Sequence, residues 1–220
     1  MSPNASSEVA DRLLARVDHL VYATTDLEGS VAEIERRIGV RATSGGQHPG
    51  RGTRNALISL SGSSYLEIVG PDPEQPTTSV PRWFGIDTAA TPRLFTWAAK
   101  AGALRDLVDT AARYGIRLGP VVAGNRKRSD GGILRWEFTD PATVVGDGLV
   151  PFFIDWRDSP HPAASAPGGP VMVSLRGQHA EPAVIERQLA AVGIDLPVEH
   201  GPRPTLIATL KTATGIVELR

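Results

Sequence analysis

The sequence contains no cysteine among its 220 residues and has no marked excess of either charge. The absence of cysteine excludes disulfides, thiolate metal ligands and cysteine nucleophiles. The 23 Lys and Arg are balanced by 24 Asp and Glu, which argues against nucleic-acid binding because phosphate neutralisation needs clustered cations. No apolar run approaches the roughly 18 residues of a membrane span, and the N-terminus has no apolar signal region. We therefore expect a cytoplasmic protein without a membrane or nucleic-acid partner.

The first ordered pattern in the chain is a short apolar strand that contains a histidine, in the stretch RVDHLVYATTDLEGSVAEI over residues 16–34. His19 lies near the start of this strand, and Asp26 is placed to cap the helix that follows. The helix presents one apolar face, formed by Leu27, Val31, Ile34 and Ile38. A strand followed by an amphipathic helix is therefore predicted, with a histidine inside the strand that needs an explanation.

The order of one strand, one helix and several further strands occurs three times along the chain. Repetition of this kind predicts duplicated structural units. Strands that return in hairpins after a single helix predict an α+β fold with mostly antiparallel sheets and helices on one face. The predicted divisions are an N-terminal lead-in over 1–15, two paired modules over 16–157 (16–71 and 92–157), and a third, partial module over 170–220.

The last strand of each unit carries an acidic residue at a similar position: Glu67 in YLEIV, Asp155 in FFIDW and Glu218 in GIVEL. A carboxylate is costly to bury in an apolar strand without a partner. Such a residue therefore faces a wet cavity, pairs with a cation or lies at the frayed end of its strand. For Glu218, near the chain end, we expect exposure to solvent.

The segments VDHLVYATTDLEGSVAEI and YLEIVGPD resemble the vicinal oxygen chelate superfamily. The segments GGQHPGRGTRNALISL, LRWEFTDP and GDGLVPFFIDW look like its bacterial glyoxalase-like branch, and the resemblance covers roughly residues 17 to 165. It implies βαβββ modules whose curved sheets pair around a cavity, with the helices outside. It also implies a small oxygen-rich substrate and chemistry of the lyase, isomerase or dioxygenase type.

The resemblance further implies a divalent metal ion (Fe, Mn, Ni or Zn) held by the first and last strands of the paired modules. His19 matches the first-strand histidine of that pattern, and Glu67 matches the last-strand glutamate. Asp155 occupies the corresponding last-strand position of the second module, as a third ligand or as a base. The first strand of the second module, RLFTWAA, contains no histidine and departs from the family pattern.

Other side chains are predicted to surround the ligand. The loop SGGQHPGRGTRN has glycines that follow a helix and precede a strand, which excludes a phosphate-binding loop and predicts a pocket rim. The candidate substrate-binding residues are His48, Thr53, Asn55, Trp97, Arg135 and Phe153. Arg135 lies within a strand and alternatively pairs with Glu67 or Asp155. His161, just beyond the strand of Asp155, is either a catalytic acid–base group or an ordinary loop residue.

Three functions are compatible with these observations. The first is a metal-dependent glyoxalase-like enzyme that acts on a small oxygen-rich molecule. The second is a non-catalytic protein that sequesters an aromatic or antibiotic-like ligand, which the missing second-module histidine and the tryptophans favour. The third is a metal-free enzyme that uses His161 and Asp155 as acid–base groups. The third module either packs outside the pair or pairs across a homodimer interface.

Overall fold

The structure is a computed structural model that describes residues 3–61, 63–75, 81–88, 90–127 and 132–220. The helices are α1 (Pro3–Arg16), α2 (Leu27–Ile38), α3 (Leu104–Arg113) and α4 (Pro182–Ala191). The strands are β1 (Val17–Ala23), β2 (Thr43–His48), β3 (Thr53–Ser59), β4 (Tyr65–Pro71), β5 (Arg93–Lys100), β6 (Val121–Lys127), β7 (Ile133–Thr139), β8 (Phe152–Asp155), β9 (Val171–His179), β10 (Val198–His200), β11 (Thr205–Thr212) and β12 (Gly215–Leu219). None of the described helices is both long and apolar enough to span a bilayer.

Eight strands form one curved sheet in the order β2-β3-β4-β1-β5-β8-β7-β6. Strand β1 pairs in parallel with β4 and antiparallel with β5, so the first four strands form one half of the sheet and the next four the other. The sheet curls so far that its two edge strands approach each other. Arg126 on β6 lies against Gly45 and Gly46 on β2. The predicted α+β fold with curved, mostly antiparallel sheets is confirmed.

The first strand and helix form as their residues predict. The side chain of Asp26 accepts a hydrogen bond from the backbone N–H of Gly29 at 3.0 Å, which caps the start of α2. Gly39 ends the helix in the left-handed conformation, with φ of 76°. The predicted apolar face of α2 is buried. These local signals therefore fix where β1 and α2 lie relative to each other.

Two segments differ from the sequence prediction. The glycine-rich loop before β3 instead begins with strand β2, which pairs antiparallel with β3 from Thr43 to His48. The strand predicted over 117–122 starts later, at Val121, because Gly119 and Pro120 interrupt the backbone pattern before it. The predicted hairpin turn after β6 falls mainly on residues 128–131, which lie outside the described residues.

The remaining four strands form a small sheet in the order β10-β9-β11-β12. Its apolar face shares one hydrophobic core with the convex face of the large sheet, since Leu206 and Leu210 belong to the same cluster as Leu20 and Trp97. Strand β11 lies against β5 of the same chain. This packing leaves the concave face of the large sheet open to form a cavity. The domain boundaries predicted from the sequence stay a prediction.

Candidate functional site

The concave face of the large sheet encloses a cavity of about 60 Å³. Its two halves differ in chemistry, because most of the polar side chains come from the first four strands, whereas the last four contribute apolar side chains and Arg126. The polar half contains His19, His48, Asn55 and Glu67. The other half contains Trp136, Phe138, Phe152, Ile154 and Trp156, with Trp83 and Phe84 from the segment between the halves.

The polar side chains come from four strands that are neighbours in the sheet. His48 ends β2, Asn55 lies on β3, Glu67 on β4 and His19 on β1. Side chains alternate between the two faces of a strand, so one residue from each can lie in a row on the concave face. Glu67 lies opposite Leu57 on β3, and both residues line the cavity.

Asp18 fixes the protonation of His19. The Asp18 carboxylate lies 2.8 Å from Nδ1 of His19 and is fully buried. Burial alone would raise the pKa of Asp18, but hydrogen bonds from His161 and His19 outweigh burial and hold that pKa well below its ordinary value. An ionised carboxylate only accepts hydrogen bonds, so Nδ1 of His19 carries the proton. In neutral His19 the lone pair of Nε2 therefore faces Oε2 of Glu67, at 3.6 Å.

His48 is held in the same tautomer by different partners. Its Nε2 lies 3.2 Å from the amide nitrogen of Asn55, a donor, so Nε2 accepts. Its Nδ1 then donates to the hydroxyl of Thr53, at 2.9 Å. Burial lowers the pKa of His48, with the charge of Glu67 opposing that effect and Arg126 adding to it. The imidazole is therefore neutral near pH 7, and its Nε2 lies 3.5 Å from Oε1 of Glu67.

The Nε2 atoms of His19 and His48 thus both face the carboxylate of Glu67. The separations of 3.5 and 3.6 Å exceed the roughly 2.7–3.2 Å of a hydrogen bond. Across the described ranges, no group of three or more His, Asp or Glu side chains is arranged to hold a metal ion as it stands. The donors nevertheless fit a cation chemically, because two imidazoles oriented through Nδ1 and one carboxylate are the kinds of ligand that divalent transition metals prefer.

The second half of the sheet offers no matching ligands. His19 lies eight residues before the start of α2, and Thr96 lies eight before the start of α3. Two residues after each of them, Val21 pairs with Glu67 and Ala98 pairs with Phe152. Thr96 and Phe152 therefore occupy the positions that correspond to His19 and Glu67. The ring of Phe152 packs edge-on against His19, with centroids 5.4 Å apart.

Several predicted site residues lie away from the cavity. Asp155 accepts a hydrogen bond from the backbone N–H of Arg157 at 2.8 Å, and it does not line the cavity. Trp97 and Phe153 are fully buried in the core on the convex side. Arg135 is exposed on β7. Strand alternation explains the placement on β8, because Phe152 and Ile154, not their neighbours, face the cavity.

The predicted rim residues do lie at the site. His48 and Asn55 line the cavity, and Thr53 supports His48 from behind. Asn55 also donates a hydrogen bond of 2.5 Å to Oε1 of Glu67. His161 lies close by, but its Nε2 donates to Asp18 at 3.1 Å and its Nδ1 accepts from the N–H of Ala163 at 3.3 Å. Both nitrogens of His161 are thus engaged.

The sequence prediction missed Asp18, although it immediately precedes His19. The pairing of β1 with β5 shifts register between Val17 and His19, a bulge at Asp18 that the residue types do not announce. Trp83 and Phe84 were missed because they lie between the two predicted modules, 16–71 and 92–157. The indole N–H of Trp83 is buried without an acceptor among the described residues. This N–H is therefore suited to donate a hydrogen bond to a ligand.

Comparison with known proteins places this arrangement in a family. A family described as "Glyoxalase-like domain" matches residues 17–193. A hypothetical protein from Staphylococcus aureus has a similar structure, with a TM-score of 0.66, 13% identity, and coverage of 92% of this chain and 97% of that chain.

Two epimerases are also among the solved structures to which the chain is similar. Methylmalonyl-CoA epimerase from Mycobacterium tuberculosis has a TM-score of 0.44 and 16% identity, covering 70% of this chain and 94% of its own. The Streptomyces coelicolor enzyme, in complex with 2-nitronate-propionyl-CoA, has a TM-score of 0.41 and 21% identity, covering 63% of this chain and 95% of its own. No curated protein matches the sequence. Since the family match spans most of the chain, the protein belongs to the glyoxalase-like domain family of the vicinal oxygen chelate superfamily.

Proposed function

We propose that the protein is an enzyme that binds a divalent metal ion through His19, His48 and Glu67 and acts on a small oxygen-bearing organic molecule. The observation that carries this proposal is that the Nε2 atoms of both histidines face the carboxylate of Glu67, at 3.5 and 3.6 Å. His48 takes the place that the sequence suggested for Asp155. The metal would be one that accepts nitrogen and oxygen ligands, such as Zn, Fe, Mn or Ni.

The neighbours of these three residues hold each ligand in position. Asp18 orients His19 through Nδ1, and Thr53 does the same for His48. Asn55 engages Oε1 of Glu67, which leaves Oε2 as the atom that accepts a proton from the substrate. A bound divalent ion would stabilise negative charge on a substrate oxygen, an effect worth several kcal/mol. Proton transfer at a carbon next to a carbonyl is the step that this arrangement supports best.

The apolar half of the cavity limits which part of the substrate enters. Phe138, Phe152 and Ile154 are buried side chains without polar groups, and they exclude water from the reacting atoms. Aromatic rings line the cavity closely around this small volume of about 60 Å³. The reacting end of the substrate is therefore small, and a larger substrate would extend outward from the cavity.

Exchange of carbon-bound hydrogen with D₂O tests this function without knowledge of the natural substrate. Protein loaded with Zn²⁺, Mn²⁺ or Fe²⁺ is incubated with hydroxyacetone or pyruvate, and exchange is followed by NMR. We expect exchange above the buffer rate, reduced roughly 10²- to 10⁴-fold in Glu67→Gln. Glu186→Gln, on the exposed face of α4, is the matched control and should keep the full rate. Exchange that is equal in Glu67→Gln and wild type, or absent with every metal, would contradict the proposal.

A second candidate is a non-catalytic binding protein. It is favoured by Thr96 and Phe152 at the two positions where the second half could have supplied ligands, and by the aromatic side of the cavity. A thermal-shift panel separates the two functions. Stabilisation by divalent metals supports the enzyme, whereas stabilisation by an aromatic ligand that is the same with and without metal supports the binding protein.

A further inference from the structure

A guanidinium group lies at the mouth of the cavity. Arg126 is on β6, the edge strand of the apolar half, and its side chain reaches the polar half across the gap between the two sheet edges. Its Nη1 lies 3.5 Å from the amide oxygen of Asn55. Asn55 in turn contacts both His48 and Glu67. The positive charge is therefore one residue away from the proposed metal ligands.

Two glycines on β2 make room for this side chain. A Cβ atom on Gly45 would lie 2.8 Å from Nη1 of Arg126, and one on Gly46 would lie 2.7 Å from its Cδ. Either contact is shorter than side chains tolerate, so any larger residue would displace the arginine. The backbone of β2 thus forms a shallow track along which the Arg126 side chain lies.

Arg126 also separates two spaces. It lines the small cavity, and it lines an adjoining open groove of about 360 Å³ together with Leu57 and Pro162, which border both. A molecule with its reacting end in the cavity and its remainder in the groove would pass directly beside the guanidinium. Trp83, on the cavity wall, adds a buried indole N–H without an acceptor among the residues described. Both groups are hydrogen-bond donors and suit an oxygen-rich anion.

We propose that Arg126 selects substrates that carry a carboxylate within two carbon atoms of the reacting carbon, so that the substrate class is small 2-oxo or 2-hydroxy acids. This inference rests on the proposed function, because it assigns the substrate of the same site. The alternative role for Arg126 is a structural clasp between the two edge strands. A clasp would support the binding of charged and neutral ligands equally, whereas a carboxylate site distinguishes between them.

Pyruvate and pyruvamide are the probes that separate these roles, since they differ in charge and little in shape. Binding is measured by calorimetry to metal-free and Zn²⁺-loaded protein. We expect wild type to prefer pyruvate, and Arg126→Gln to weaken pyruvate binding roughly 10- to 100-fold while changing pyruvamide binding by less than about two-fold. Arg105→Gln, an exposed arginine on α3, is the matched control and should leave both affinities unchanged.

The outcomes keep this inference separate from the proposed function. Equal weakening of both probes in Arg126→Gln, or a preference for pyruvate that survives it, overturns the carboxylate site even if metal binds and exchange occurs. A preference for pyruvate that disappears in Arg126→Gln but persists in metal-free wild type supports the carboxylate site even if the metal proposal fails. Thermal unfolding of each variant establishes that the fold is retained.

Discussion

The carboxylate of Asp18 accepts hydrogen bonds from three side chains at the base of the site. Nδ1 of His19 lies at 2.8 Å, Nε2 of His161 at 3.1 Å and the indole nitrogen of Trp156 at 3.1 Å. These residues come from β1 and from the segment after β8, so one buried anion links the two halves of the sheet. Asp18 is therefore a positioning residue, and His161 acts through it by holding it in place.

Replacing Asp18 tests this role. Asp18→Asn keeps the shape but removes the charge that two histidines share, so we expect the free energy of unfolding to fall by about 2 to 4 kcal/mol at pH 7. Urea unfolding of metal-free protein measures the change. Asp158→Asn, an exposed aspartate in the turn after β8, is the control and should change stability by less than about 0.5 kcal/mol. Equal stability of Asp18→Asn and wild type would contradict the role of the shared anion.

The same carboxylate predicts a pH dependence. The pKa of Asp18 in the folded protein lies well below the ordinary value of 3.8, so the unfolded chain binds this proton more readily. The stabilisation is fully present above the ordinary pKa and is lost as the pH falls below it toward the folded value. Between about pH 4 and 2, stability of metal-free wild type should therefore fall more steeply than that of Asp18→Asn. Equal losses of stability in wild type and Asp18→Asn over this pH range would contradict this expectation.

At the scale of elements, local sequence patterns predict some strands correctly and miss others, and the difference has physical reasons. Strand β1 and helix α2 were predictable because their caps and apolar spacing are local. Strand β2 was not, because TSGGQH has weak strand propensity and is ordered by its pairing with β3. On β8 the sequence FFIDW shows no clear alternation of apolar and polar residues, because apolar side chains are buried on both faces of the strand. Phe152 was therefore placed at the site only by the fold, and His48, predicted at the pocket rim, was brought close to Glu67 by the pairing of β2 with β3.

The close packing around the glycines of β2 predicts the effect of replacing one of them. A Cβ on Gly45 would lie 2.2 Å from the amide oxygen of Asn55 and would crowd Arg126. Gly45→Ala should therefore lower the free energy of unfolding by about 1 to 3 kcal/mol and weaken pyruvate binding. Gly102→Ala, where nothing lies within 4 Å, is the matched control and should be neutral or slightly stabilising. Calorimetric binding and urea unfolding check both variants, and equal behaviour of the two would contradict the packing argument.

At the scale of the whole molecule, the large and small sheets share one core. Leu210 on β11 is fully buried in the cluster that contains Trp97 of β5. The four tryptophans lie at positions 83, 97, 136 and 156, all before the small sheet begins. Tryptophan fluorescence therefore reports on the large sheet and, through Trp97, on the shared core, and a common core predicts that damage to the small sheet reaches the large one.

Leu210→Ala measures this coupling. The substitution should lower the free energy of unfolding by about 2 to 5 kcal/mol, and it should shift the tryptophan fluorescence and circular dichroism transitions together. Val173→Ala, at a position on β9 that is 41% exposed, is the control and should change stability by less than about 0.5 kcal/mol. A fluorescence transition that stays at the wild-type midpoint in Leu210→Ala would show that the two sheets unfold independently.

His48 is proposed to complete a metal site with His19 and Glu67. The number of metal ions bound per protein molecule tests this proposal. Protein without a histidine tag, purified without chelators, is titrated with Zn²⁺ and its bound metal is measured. We expect one equivalent of Zn²⁺ in wild type, in Asp155→Ala and in the exposed-residue control His200→Ala, with binding lost in His19→Ala and His48→Ala. No stoichiometric metal in wild type, or binding that depends on Asp155 and not on His48, would contradict it.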